Sequence, residues 1–285
     1  MAAGYVEYEG IRVPGEGYHT LESLTFATKE FQVRDDDVFN VTFPKSGTTW
    51  MQEILSLIYS NGDPTTIKTE FSWDRVPWIE QHRGRSDLEH RPSPRLITTH
   101  LPRYLIPPSF NNTKAKVIYT IRNPKDVCVS LYHFSLMASF LEKHEEFQDF
   151  IPLFLSNKIL FGSWFDHVKG WLTMKDQPNF LLLSYDNMVK DLRGNVVKIC
   201  KFLGKELDDA AIDSVVEHSS FQAMKDNVMS NYSVVPNEIF DKARGSFIRK
   251  GVSGDHKNYF TPAQEEEFDR IYNESMKDVD LSTLI

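Results

Sequence analysis

Four short apolar runs stand out along the chain: VFNVTF (38–43), RLITTH (95–100), KVIYTI (116–121) and NFLLLSY (179–185). Each has strand length, is rich in β-branched, aromatic or other apolar residues, and leads into polar ones. Between and after them the apolar positions shift to a helical period. TTWMQEILSLIYSN places Trp50, Ile54, Leu57 and Ile58 on one face, and GSWFDHVKGWL does the same with Trp164, Val168 and Trp171. EEFQDFIPLFLSN reads as a further helix. NVVKICKFLG stops at Gly204, and DDAAIDSVVEHSS opens on aspartates able to cap it. Strands alternating with helices predict an α/β fold, a central parallel sheet flanked by helices. No Gly/Ser-rich or Pro-rich linker and no internal repeat divides the chain, so residues 1–285 read as a single domain.

The polar residues that invite a chemical explanation follow those strands directly. PKSGTT comes after the first, His100 ends the second, Arg122 and Asn123 follow the third, and Tyr185 ends the fourth. Ligands of open parallel sheets bind outside the carboxyl ends of the strands. FPKSGTTW is a P-loop-like strand-loop-helix segment without the usual G-x-x-x-x-G-K-[ST] spacing. Gly47 lets the amides of Ser46 to Thr49 turn inward as an anion nest at a helix start, with Lys45 adding a full charge. The plainer alternative is a turn capped by a threonine. Arg122 can fork onto a phosphate near Ser130, or pair with Asp126. RKGVSGDHKN (249–258) reads either as a loop closing on a phosphate or as a solvated surface loop. His100 suits a general base for a hydroxyl proton, its ordinary pKa lying near 6.5; a structural hydrogen bond is the alternative.

Composition narrows the field. Hydrophobic content of 41% with 25% charged residues fits a globular protein. A formal net charge of −8 argues against nucleic acid or an anionic membrane as partner. No apolar run approaches the roughly 20 residues of a bilayer span, and the start carries no secretory pattern, so a cytoplasmic location is expected. Cys128 and Cys200 sit in no ligand or redox spacing, and no metal motif is present, so no metal is expected. A metal-dependent kinase would want an aspartate after a strand to hold Mg²⁺, where this chain offers His100 and Arg122.

FPKSGTTW, THLP, IRNPKDVCVS, FGSWFDHVKGW, FLLLSYDNM, HSSFQAMKDN and FIRKGVSGDHKNYFT together resemble the cytosolic sulfotransferases, over about residues 5 to 275. The resemblance implies transfer of a sulfonate from 3′-phosphoadenosine 5′-phosphosulfate to an acceptor hydroxyl or amine, leaving adenosine 3′,5′-bisphosphate. It implies that Lys45, Ser46, Gly47, Thr48, Thr49 and Trp50 bind the 5′-phosphosulfate end, with Trp50 near the adenine. It places Arg122, Ser130, Arg249, Lys250 and Gly251 around the 3′-phosphate. Tyr185 and Ser219, Ser220, Phe221 and Met224 become adenosine contacts, Phe221 stacking on the base. His100 becomes the general base, Lys45 the partner of the leaving oxygen, and Ser130 a restraint on Lys45.

Two departures qualify the match. Thr98 stands where many relatives carry a lysine, which is similar to the hydroxysteroid branch, as is HSSFQAMK followed by MSNYS. The short dimer pattern K-x-x-x-T-V-x-x-x-E fits at Lys257, Thr261 and Glu266, but Pro262 replaces its valine and lacks an N–H. A homodimer through 257–266 is therefore in question. The branch implies Trp73, Trp78, Phe134 and Tyr232 around the acceptor, with core positions the alternative. LYHFSLMA departs from that branch, which leaves a phenol or an amine open beside a steroid alcohol. A non-catalytic nucleotide-binding protein is the remaining alternative, opposed by an intact Lys45 and His100.

Overall fold

Period-2 alternation in the four apolar runs feeds two cores at once. Phe39, Val41, Val117 and Tyr119 face one side of a sheet, while Val38, Ile118, Leu181 and Leu183 belong to the other. The computed structural model describes residues 4–15, 17–282 and 284. Its strands are β1 (Tyr5–Tyr8), β2 (Ile11–Pro14), β3 (Val38–Thr42), β4 (Leu96–Thr99), β5 (Lys116–Ile121) and β6 (Phe180–Ser184). The last four form one parallel sheet in the order β4-β3-β5-β6, with Val38 opposite both Leu96 and Lys116. All four exits therefore meet on one edge, as the sequence predicts.

On the first face pack Trp164, Val168 and Trp171 of the Trp164–Leu172 helix, together with Phe154. On the second pack Ile54, Leu57 and Ile58 of the Thr48–Tyr59 helix, with Ile199 and Val215. Side chains of this kind contribute about 1.5–3 kcal/mol each on full burial. The punctuation also holds. Gly204 takes a left-handed φ of 71° to end the Leu192–Leu203 helix, and Asp208 caps the next by accepting from the Ala211 amide at 2.8 Å. Pro262 occupies the first turn of the Pro262–Ser275 helix, where its missing N–H leaves no bond within the helix unmade.

One element escapes the sequence pattern. β1 and β2 form an antiparallel hairpin around Glu9 and Gly10, each strand only four residues long. It matters because β2 delivers Pro14 to the edge of the cavity described below. Among the described residues no helix is long and apolar enough to cross a membrane.

Candidate functional site

The loop after β3 is built to leave backbone donors free. Lys45 and Gly47 both take positive φ, 67° and 99°, and no side chain caps the Thr48–Tyr59 helix. The threonine-cap alternative is thus set aside. Thr48 instead shares a 2.6 Å hydrogen bond with the Thr42 hydroxyl and props the loop against β3. Ser46, expected at the anion, does not line the cavity: its amide donates to the Phe43 carbonyl at 3.2 Å, and its buried Oγ has no partner among the described residues. Lys45 Nζ lies 4.3 Å from the ring centres of both Phe134 and Phe247. Burial, then the charges of Arg122 and Arg249, lower its pKa to about 7. Mutual repulsion of three cations is the mark of a place awaiting an anion.

Arg122, at the exit of β5, donates from Nη1 to the Lys45 carbonyl at 2.9 Å and from Nη2 to that of Val252 at 3.2 Å. It forms no ion pair with Asp126 among the described residues, which answers the alternative raised from the sequence. Asp126 is taken by the distant loop instead, accepting from the Gly254 amide at 2.6 Å and the His256 amide at 2.8 Å. These bonds hold its carboxyl below the usual range despite burial. The same loop carries Arg249 and Lys250, both paired at 2.7 Å with Asp255. Arg122 Nε and Arg249 Nη1 remain buried without partners. Residues 249–251 are therefore anchored beside the first loop, not adrift in solvent. Ser130, on the Pro124–Met137 helix, lines the same cavity.

An aromatic recess closes that end. Trp50 donates from Nε1 to the Ser219 carbonyl at 2.8 Å and meets the Tyr185 ring edge-on at 5.4 Å. Gly251 has a φ of 66°, and a Cβ there would approach Phe221 to 2.1 Å, so only glycine lets the backbone lie on that ring. Trp50, Tyr185, Phe221, Met224 and Gly251 all line the cavity. Ser219 and Ser220 do not: Ser219 is buried, bonding the Val215 carbonyl, and Ser220 caps the Phe221–Asp226 helix. They position Trp50 and Phe221 respectively.

His100 sits between this recess and the apolar end. Its Nδ1 donates to the Thr42 carbonyl at 2.7 Å, which leaves the Nε2 lone pair free. Its amide donates to Glu80 Oε1 at 2.8 Å, and its carbonyl accepts from His167 Nε2 at 3.1 Å. Burial first, then neighbouring His167, His19 and Lys45, push its pKa down to about 3.

Beyond His100 the walls are Trp78, Phe134, Phe161 and Tyr232, among others. Trp73 is not one of them. It stacks on Phe71 at 4.5 Å and leans on Tyr232 at 4.8 Å, supporting the wall from behind because the Ser72–Arg75 helix turns it away. Thr98 is also fully buried, donating to the Val76 carbonyl, and does not reach the cavity. Sequence reasoning missed Tyr18, His19, Glu80, Phe161 and Phe247, which also line it. Phe161 and Phe247 open the motifs FGSWFDHVKGW and FIRKGVSGDHKNYFT without being singled out there, whereas Tyr18, His19 and Glu80 lie in no motif; only the first hairpin, had it been found, would have pointed to His19.

Residues 35–280 match the sulfotransferase domain family. Sulfotransferase 2B1 of Mus musculus is 50% identical over 275 residues, 96% of this chain and 81% of that protein. The 3-beta-hydroxysteroid sulfotransferase of Cavia porcellus is 49% identical over 276 residues, 97% and 96% of the two chains. Among solved structures, mouse sulfotransferase SULT7A1 complexed with PAP superposes with a TM-score of 0.80 at 32% identity, covering 97% of this chain and 95% of that one.

Proposed function

This chain belongs to the sulfotransferase family, and we propose that its residues carry sulfonate transfer from 3′-phosphoadenosine 5′-phosphosulfate to the hydroxyl of an apolar, steroid-like alcohol. The observation that carries the reading is the convergence of Lys45, Arg122 and Arg249 on one cavity beside the free Nε2 of His100. Arg122 Nε and Arg249 Nη1, buried without partners among the described residues, supply hydrogen-bonding capacity that a doubly phosphorylated nucleotide would satisfy. When bound, that donor supplies an activated sulfonate whose leaving oxygen belongs to the 5′-phosphate.

Lys45, the amides of residues 47–49 and the start of the Thr48–Tyr59 helix hold the 5′ end and neutralise the oxygen released as the sulfur–oxygen bond breaks. Arg122, Ser130, Arg249, Lys250 and Gly251 hold the 3′-phosphate. Trp50, Tyr185, Phe221 and Met224 hold the adenine side. His100 Nε2 takes the acceptor proton as the acceptor oxygen bonds to sulfur. Burial dominates its low proton affinity, and Lys45 adds a smaller part that an anion beside it would offset.

Phe134, Trp78 and Tyr232 form the acceptor walls, and the name of the Cavia porcellus relative favours a hydroxysteroid over a phenol or amine. We also propose a cytoplasmic location, residues 1–285 as one catalytic unit, and pairing of two copies through residues 257–266, where Pro262 takes the place of the valine in the short dimer pattern. Light scattering on the purified chain tests the last.

The decisive assay incubates the protein with the sulfonate donor, or with ATP and Mg²⁺, against sterols, phenols and amines. Sulfonated sterol in the presence of EDTA is the expected product. A product that requires ATP and Mg²⁺ would overturn the assignment. Arg249→Ala should weaken the 3′-phosphorylated nucleotide far more than its dephosphorylated analogue; equal losses would remove the 249–251 loop from the 3′-phosphate.

A further inference from the structure

The apolar end of the cavity is lined by a histidine that the proposed reaction does not use. His19 is only 4% exposed and lies in the cavity wall. Its Nδ1 is 2.8 Å from the Pro14 carbonyl, an oxygen that can only accept, so Nδ1 carries the proton. Nε2 is then a bare acceptor, and it is buried with no partner. Burial lowers the ring's pKa to about 4, so this tautomer persists at neutral pH. Buried acceptors are almost always satisfied, and one left open in a ligand wall asks for a donor from the ligand.

The adjoining wall repeats the pattern. Glu80 is fully buried, and while its Oε1 accepts from the His100 amide, Oε2 has no partner. The two segments are stitched together, His82 donating to the Tyr18 carbonyl at 2.7 Å and Ser23 Oγ to the Glu80 carbonyl at 2.8 Å. Their placement is close to the reacting group. The His19 and His100 rings both contact Phe161, at centroid distances of 5.8 and 5.1 Å. A compact, rigid skeleton can therefore address both histidines at once; a flexible chain reaching out of the cavity is not needed.

We propose that the acceptor is a diol: one hydroxyl goes to His100 Nε2 and is sulfonated, and a second donates to His19 Nε2 and selects the substrate. This rests on the sulfotransferase reading above and adds the acceptor's second functional group to it. His19 acts as a specificity residue and takes no part in proton transfer.

The test uses tetracyclic steroid diols that differ in the ring bearing the second hydroxyl, each matched with the mono-ol lacking it. Binding to the full chain is followed by tryptophan fluorescence, since Trp78 packs 4.6 Å from the His100 ring. Turnover with the sulfonate donor is measured separately. At least one diol should bind about tenfold more tightly than its mono-ol, the contribution of one neutral hydrogen bond. His19→Phe should reduce that ratio to within about twofold, and His19→Gln, which restores an acceptor atom, should recover part of it. The preference should also stay level from pH 6 down to 5, below the ordinary imidazole value of about 6.5, where Glu80 and Lys45 are already protonated. No diol preference in the unaltered protein, or a preference that survives His19→Phe, overturns the proposal. A diol preference in binding without sulfonated product from any acceptor would instead sink the assigned reaction and leave the His19 contact standing. Product from all acceptors with no preference would do the reverse.

Discussion

His100 illustrates how much of a residue's role is decided by its neighbours. The Thr42 carbonyl at 2.7 Å selects the tautomer with Nδ1 protonated, and burial keeps the ring neutral. Removing the base should lower turnover by ~10²–10⁴ in His100→Ala, with donor affinity retained. Stopped-time product assays and nucleotide titration separate the two effects, and unchanged turnover would dismiss His100 as base. The depressed pKa makes a second prediction. On the acidic side, kcat/KM for the acceptor should remain level from pH 6 down to 5, where Lys45 and Glu80 are already protonated and His100 is still deprotonated. An acidic limb centred near 6.5 would show a ring with ordinary solvation. The motif FPKSGTTW announces an anion loop in sequence, yet its hydroxyls divide their work. Thr48 braces β3 through Thr42, while Ser46 stays without a partner.

At the scale of elements, the site depends on a long loop held against a helix start. Asp126 receives two amides and the His256 ring from residues 254–256, and so ties the loop bearing Arg249 and Lys250 to the exit of β5. Gly251 then rests on Phe221 with a left-handed φ of 66°. A methyl group there must displace the ring and adopt a conformation that costs about 1 kcal/mol or more. Gly251→Ala is expected to weaken adenosine 3′,5′-bisphosphate about tenfold or more by calorimetric titration, with a thermal midpoint close to that of the parent chain. A large fall in that midpoint, with affinity kept, would mean that the contact serves folding instead. The strand exits were legible in the sequence because strand and helix periods differ. The contact between Asp126 and residues 254–256 was not, since nothing local reports a bond across some 128 positions.

For the molecule as a whole, buried histidines shape its response to acid. His19, His100 and His167 have pKa values lowered to about 4, 3 and 3, so the unfolded chain binds more protons than the folded one below the ordinary value near 6.5. Their effect is to let stability fall as pH drops from about 6.5 towards 4. Glu80, raised to about 7 by burial, and Glu53, also raised by burial, work in the opposite direction over part of that window, while His133, lowered to about 4, adds to the three rings. Urea midpoints should therefore be lower at pH 5.5 than at pH 7.5; a flat or inverted profile would contradict the buried neutral rings. Ligand linkage gives a complementary measurement. Adenosine 3′,5′-bisphosphate at a hundred times its Kd should add about 2.7 kcal/mol of stability, with a correspondingly higher melting temperature.

The sequence by itself determined the layered fold, the edge where ligands gather and the anion chemistry of that edge. These follow from local periodicity, from glycines that permit left-handed backbone and from polar residues placed directly after strands. It also carried the family resemblance from which His100, Lys45 and the 249–251 loop take their proposed roles. Only the tertiary structure decided which side chains face the acceptor. Trp73, on the short Ser72–Arg75 helix, falls behind Tyr232, while His19, Glu80 and Phe161 converge from remote segments. A cavity wall is set by how elements pack after folding, and helix and strand periods hold no record of which distant residue will stand opposite.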